Sequence, residues 1–170
     1  MTPPGGTGGG AAGDGGAADR AAADRAAVLT ANAALYEALE RGDADALTDV
    51  WLSAADADDA GGVVCVHPGW PVLRGRARVL RSYMLLMADT DYIQFILTDV
   101  EAQVAGDVAL VTCTENILSG GGAEEEGGLG PLVGGKVVTT NVFRRTADGW
   151  RLWSHHGSPV LTSTDAEDEG

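Results

Sequence analysis

The chain has 170 residues, 45% of them hydrophobic, which suits a single soluble domain with its own core and no need of disulfide support. A formal net charge of −14 argues against nucleic acid or an anionic membrane surface as a partner. No stretch approaches the ~20 apolar residues of a membrane span, and the N-terminus has neither the basic nor the apolar region of a signal segment, so a cytoplasmic location is expected.

Residues 1–18 are mainly Gly, Ala and Pro and bury too little apolar surface to offset the entropy of ordering, so they are expected to be disordered. The domain is expected over 19–160. A helix should begin near Asp19, with Val28, Leu29, Leu35 and Leu39 as its apolar stripe and Tyr36 beside them. Gly42 ends it, and Asp43 caps a second helix through Leu47, Val50 and Trp51. An acidic loop with Asp56, Asp58 and Asp59 follows. Val63 to His67 reads as a short strand stopped by Pro68-Gly69, and Trp70 to Leu73 as another. Arg76 to Met87 has helical spacing at Val79, Leu80, Tyr83, Met84 and Met87.

Four long strands come next: Tyr92 to Ala105, Val108 to Leu118, Lys136 to Arg145 and Trp150 to Val160. Gly106-Asp107 and Asp148-Gly149 mark tight turns, while 119–135 is a Gly- and Glu-rich loop without a phosphate-binding pattern. The acidic residues 161–170 are expected to form a disordered tail. Cys65 and Cys113 lie in apolar runs and read as buried free thiols. Helices gathered ahead of a strand meander predict an α+β fold: a cone-shaped, strongly curved antiparallel sheet packed on about three helices, with a pocket on the concave side.

All three histidines fall in two segments, His67-Pro68-Gly69-Trp70 and Trp153-Ser154-His155-His156. Polar, titratable rings at strand ends mark a small-molecule pocket. His67 is the candidate acid/base, since an imidazole exchanges protons near neutrality. Asn141 interrupts an apolar strand and offers an amide donor for a carbonyl or developing oxyanion. Trp70, Tyr83, Tyr36 and His155 are the candidate ligand contacts. His155 and His156 are adjacent in a strand, so one faces inward and the other outward, and alternation sets His155 with Trp153. Glu115 and Asn116 pose the same choice. A His67–His155–Glu115 metal site has no ligand spacing behind it, and no metal or cofactor is expected.

The order of elements resembles the nuclear transport factor 2-like superfamily and, within it, the SnoaL-like group. The resemblance spans roughly residues 25–160. It rests on Arg41-Gly42-Asp43 with Leu47 and Trp51, on Val64-Cys65-Val66-His67-Pro68-Gly69, on Asn141-Val142-Phe143-Arg144-Arg145 with Asp148-Gly149-Trp150, and on Ser154-His155-His156-Gly157-Ser158-Pro159. Ketosteroid isomerase belongs to that superfamily. Aligned on Gly42-Asp43, its general base falls on His67 and its acidic oxyanion donor on Asn141. Its oxyanion tyrosine falls on Leu35, one residue before Tyr36.

The resemblance implies a small-molecule-binding protein with three functional alternatives. The first is a cofactor-free isomerase, dehydratase, cyclase or hydrolase acting on an apolar oxygenated metabolite. The second is a ligand-binding protein without chemistry. The third is an oligomerisation module, because the final strand is similar to that of the calcium/calmodulin-dependent kinase association domain. A homodimer is expected under each.

Overall fold

The computed structural model describes residues 14–57, 62–120 and 131–161. Asp58, Asp59, the Glu124–Glu126 run, residues 1–13 and residues 162–170 lie outside this range.

Helix α1 runs from Asp14 to Arg41, starting before the expected Asp19. Its early turns are exposed and rich in alanine, so they rest on intrinsic propensity rather than packing. The buried face begins at Val28 and continues through Asn32, Leu35 and Tyr36, a helical period. Gly42 adopts φ 62°, which lets the chain turn sharply into α2 (Ala44–Val50). Asp43 caps α2 by accepting from the Ala46 amide at 2.9 Å. The far end of α2 is held by Arg76, whose guanidinium donates to the carbonyls of Thr48, Trp51 and Leu52 at 2.7, 2.8 and 2.9 Å.

β1 (Val64–Val66), β2 (Leu73–Arg74), α3 (Arg76–Ala88), β3 (Tyr92–Ala105), β4 (Val108–Gly120), β5 (Val133–Thr146) and β6 (Gly149–Pro159) complete the chain. Among the described residues, the sheet has the order β2-β1-β6-β5-β4-β3. β3 to β6 form the expected antiparallel meander. β1, however, lies parallel to β6, with Val64, Cys65 and Val66 opposite Ser154, His155 and His156. The sheet is therefore mixed. This pairing joins segments far apart in sequence, and no hairpin pattern encodes it.

Two irregularities curve the sheet. In β3 the register shifts between Thr98 and Glu101, where Asp99 takes φ 53°. In β6 Trp153 is an extra residue between Leu152, opposite Phe143, and Ser154, opposite Val142. The second bulge resets the alternation, so Leu152 and His155, three residues apart, are both buried while His156 is exposed.

The core fills one end of the space between helices and sheet. Val28, Leu35, Leu47, Trp51, Leu52, Val79, Val111, Phe143 and Leu152 meet there with almost no solvent exposure. No helix among the described residues is long and apolar enough to cross a membrane.

Candidate active site

At the other end of that space lies a cavity of about 290 Å³. Leu39, Leu86, Met87, Ile93, Phe95 and Ile117 wall it with apolar atoms, and the exposed Glu40, Arg41 and Asp91 line its mouth. Its floor is polar: Tyr36 from α1, His67 after β1, Tyr83 from α3, Glu115 from β4 and His155 from β6. The parallel pairing of β1 with β6 sets Cys65 opposite His155, which brings the His67 and His155 rings to 6.3 Å between centroids. Tyr83 packs edge-on against His67 at 4.7 Å and against His155 at 6.4 Å. Gly157 keeps this corner tight: a Cβ there would sit 3.1 Å from both Pro68 Cγ and Val137 Cγ1.

Glu115 is 4% exposed. Its Oε1 accepts from the hydroxyls of Tyr36 at 2.8 Å and Thr139 at 2.7 Å. No group among the described residues bonds Oε2, which is not sealed from the cavity. Burial pushes the Glu115 pKa up, against the two hydroxyl donors, which hold it down. The Tyr83 phenol is also pushed well up by burial, with Cys65 and Glu115 adding to the effect, so it remains a neutral donor. Its oxygen accepts a weak bond from Cys65 Sγ at 3.8 Å.

The histidines move the other way. Burial lowers the pKa of His67 to about 4. Burial, with His67 and His156 nearby, lowers that of His155 to about 3. Both are neutral at physiological pH. His67 Nε2 lies 2.7 Å from Ser82 Oγ, and His155 Nδ1 lies 2.7 Å from Asn141 Oδ1.

Four of the six side chains nominated from the sequence, His67, Tyr83, Tyr36 and His155, meet at this floor. Asn141 does not. It is 0% exposed and sits behind the floor, where its Nδ2 donates to Asn32 Oδ1 at 2.8 Å and to the Tyr36 oxygen at 3.2 Å. Both amide hydrogens are used inside the protein, which leaves none for a ligand's oxygen. Trp70 is 42% exposed and does not line the cavity; it stacks edge-on against His67 from outside at 5.1 Å. Glu115 is not among the residues nominated for catalysis. Its signal is nevertheless present: Ala109, Val111, Cys113, Glu115 and Ile117 form one face of β4, and Glu115 is the single acid among them. Among the described residues, no group of three or more His, Cys, Asp or Glu side chains is placed to hold a metal ion.

Residues 28–162 match the SnoaL-like domain family. The chain belongs to this family. A solved protein from Streptomyces avermitilis, provisionally named a dehydratase of the nuclear transport factor 2-like family, is 63% identical, with 83% of this chain and 99% of that one covered and a TM-score of 0.80. A protein from Thiobacillus denitrificans, provisionally named a calcium/calmodulin-dependent protein kinase type II association domain, is 27% identical over 77% of this chain and 93% of that one, with a TM-score of 0.60. A nuclear transport factor 2-like protein with a cystatin-like fold from Novosphingobium aromaticivorans shares the fold at 21% identity, covering 91% of this chain and 93% of that one, TM-score 0.67. No curated protein matches the chain. The SnoaL-like assignment agrees with the resemblance drawn from the motifs.

Proposed function

We propose that this SnoaL-like protein is a cofactor-free acid–base enzyme that eliminates water from an apolar, oxygenated small molecule. The observation that carries the reading is Glu115: a buried carboxyl with a raised pKa, whose Oε2 no group among the described residues bonds, on the same apolar cavity as Tyr83. The name of the Streptomyces avermitilis relative supports it.

In this reaction Glu115 removes a proton from the carbon beside a substrate carbonyl. Tyr83 donates a hydrogen bond to the carbonyl oxygen as it gains negative charge. The enolate electron pair then forms a carbon–carbon double bond as the β carbon–oxygen bond breaks. Protonated Glu115 gives its proton to the departing oxygen, which leaves as water, and the carboxylate is restored. His67 and His155, held neutral by burial, accept hydrogen bonds rather than carry the proton. This moves the acid–base role from His67 to Glu115, because a group of pKa about 4 is a weak proton acceptor at neutral pH.

Incubation with a panel of apolar β-hydroxy ketones, read by mass spectrometry for loss of one water, tests the reading. Glu115→Gln should lower kcat by roughly 10²- to 10⁴-fold while leaving the fold intact by circular dichroism. Full activity in that variant, or recovery of every compound unchanged from the native protein, contradicts it.

A homodimer is proposed through the outer face of the sheet, where Ile96 and Val138 are exposed. This is supported by the name of the Thiobacillus denitrificans relative, an association domain. Val138→Glu should convert a dimer to monomers in sedimentation velocity; a native protein already monomeric at all concentrations contradicts the proposal.

A further inference from the structure

The directions of the hydrogen bonds from Tyr36 through Asn141 to His155 follow from one carboxylate. Glu115 Oε1 can only accept, so Tyr36 gives it its single proton at 2.8 Å. The Tyr36 oxygen must then accept from Asn141 at 3.2 Å, which turns the amide nitrogen toward Tyr36 and the amide oxygen toward His155. Asn32 Oδ1 takes the second amide hydrogen at 2.8 Å. Asn141 Oδ1 has no hydrogen to give, so the 2.7 Å contact is a bond donated by Nδ1–H of His155. A neutral imidazole carries one such hydrogen, and Nε2 is therefore a bare lone pair. No group among the described residues bonds that nitrogen, and His155 lines the cavity.

His67 is fixed by the same logic in the opposite tautomer. Ser82 gives its hydroxyl hydrogen to the Val79 carbonyl at 2.7 Å. The Ser82 oxygen must then accept from His67 Nε2–H, also at 2.7 Å. Nδ1 is left as the lone pair, and among the described residues its one polar contact is the Cys65 sulfur at 3.8 Å.

From this geometry we infer that Asn141 is a positioning residue that presents the bare Nε2 of His155 to the cavity, that Ser82 fixes the tautomer of the His67 ring beside it, and that the site selects ligands by a hydroxyl hydrogen. An alcohol or phenol donates to the His155 nitrogen. An ether of the same shape brings a lone pair against a lone pair. A carboxylate does the same and also meets the Glu115 carboxyl, while Arg41, the one cation lining the cavity among the described residues, sits at the mouth. The inference rests on the proposed function only in taking this cavity as the ligand site.

Two measurements test it. Long-range ¹H–¹⁵N correlation spectra of the native protein at neutral pH should show His155 protonated at Nδ1 and His67 at Nε2. Titration with 1-naphthol, 1-methoxynaphthalene and 1-naphthoate should give naphthol at least ~10-fold tighter binding than either analogue, the yield of one well-made hydrogen bond. Asn141→Asp, nearly the same shape, places a carboxylate on His155 Nδ1. It should make the ring doubly protonated at a higher pH than in the native protein and shrink the preference for naphthol over the ether to within ~3-fold, the loss of most of that bond. The native spectra and titrations decide the matter if that variant does not fold.

His155 protonated at Nε2, naphthol and ether binding equally, or no binding of naphthol each overturns the inference. Its failure is separable from failure of the proposed reaction. Unchanged turnover in Glu115→Gln rejects the acid–base assignment and leaves the hydroxyl preference standing. Equal binding of naphthol and its ether rejects the preference and leaves the acid–base assignment standing.

Discussion

The inner face of β4, β5 and β6 changes character along its length. At one end Val111, Phe143 and Leu152 pack against Trp51, Leu35 and Leu47 with no room between them. At the other end the same strands present Glu115, Thr139, Asn141 and His155, bonded to each other and to Tyr36 around a hollow. The packed end draws its stability from apolar burial, which does not depend on pH. The polar end keeps titratable groups out of water, which makes its contribution depend on pH. One sheet thus supports both a rigid scaffold and a site whose groups depart from their ordinary proton affinities.

The largest difference should appear when each end is cut. Phe143→Ala should cost roughly 3–5 kcal/mol, since it removes a fully buried ring and leaves a cavity. Urea unfolding should show that loss equally at pH 7 and pH 5. A loss confined to one pH would break the division between the two ends.

Next comes the pH dependence itself. His67 and His155 have folded pKa values of about 4 and about 3, below the ordinary 6.5, so the unfolded chain binds more protons over that interval. Their contribution is complete above pH 6.5 and is lost as pH falls toward 4, on the order of 3 kcal/mol for each ring. Glu115 acts with the opposite sign: its pKa is raised above 4.5, so its contribution is present below that value and lost as pH rises through the folded pKa. Stability measured from pH 7 to 4.5 should fall on balance, and His155→Gln should flatten the slope. A stability curve level across that range would contradict the assignment.

The smallest effect sharpens the boundary at the cavity corner. Gly157→Ala should cost roughly 1–3 kcal/mol, because the added methyl meets Pro68 and Val137 at 3.1 Å. Thermal unfolding should register it, and a stabilised variant would show that the corner is looser than described.

The order of helices and strands was legible because it is written locally, in the stripe of α1, the caps at Gly42 and Asp43, and the turns at Gly106 and Gly149. The parallel pairing of Val64–Val66 with Ser154–His156 was not, since nothing near either segment encodes a partner so far along the chain. That pairing is what brings His67 beside His155. Alternation grouped His155 with Trp153, but the bulge at Trp153 shifts the period, and His155 faces inward with Leu152 instead. Asn141 could be recognised as a polar group requiring a partner. That its hydrogens go to Asn32 and Tyr36 depends on how α1 crosses the sheet. The sequence left open which of Glu115 and Asn116 faces inward, and the chemical importance of Glu115 comes from the hydroxyls of Tyr36 and Thr139, which only the tertiary structure brings to the same carboxylate oxygen.

At the cavity floor the ordinary order of proton affinities is inverted, and an NMR titration of the native protein reads that order without a substrate. Following the Glu115 side-chain carboxyl carbon and the ring signals of both histidines from pH 7 downward, Glu115 should protonate first, above its ordinary 4.5, with His67 following near 4 and His155 near 3. Histidines that titrate near 6.5, with Glu115 ionised down to 4.5 or below, would contradict it.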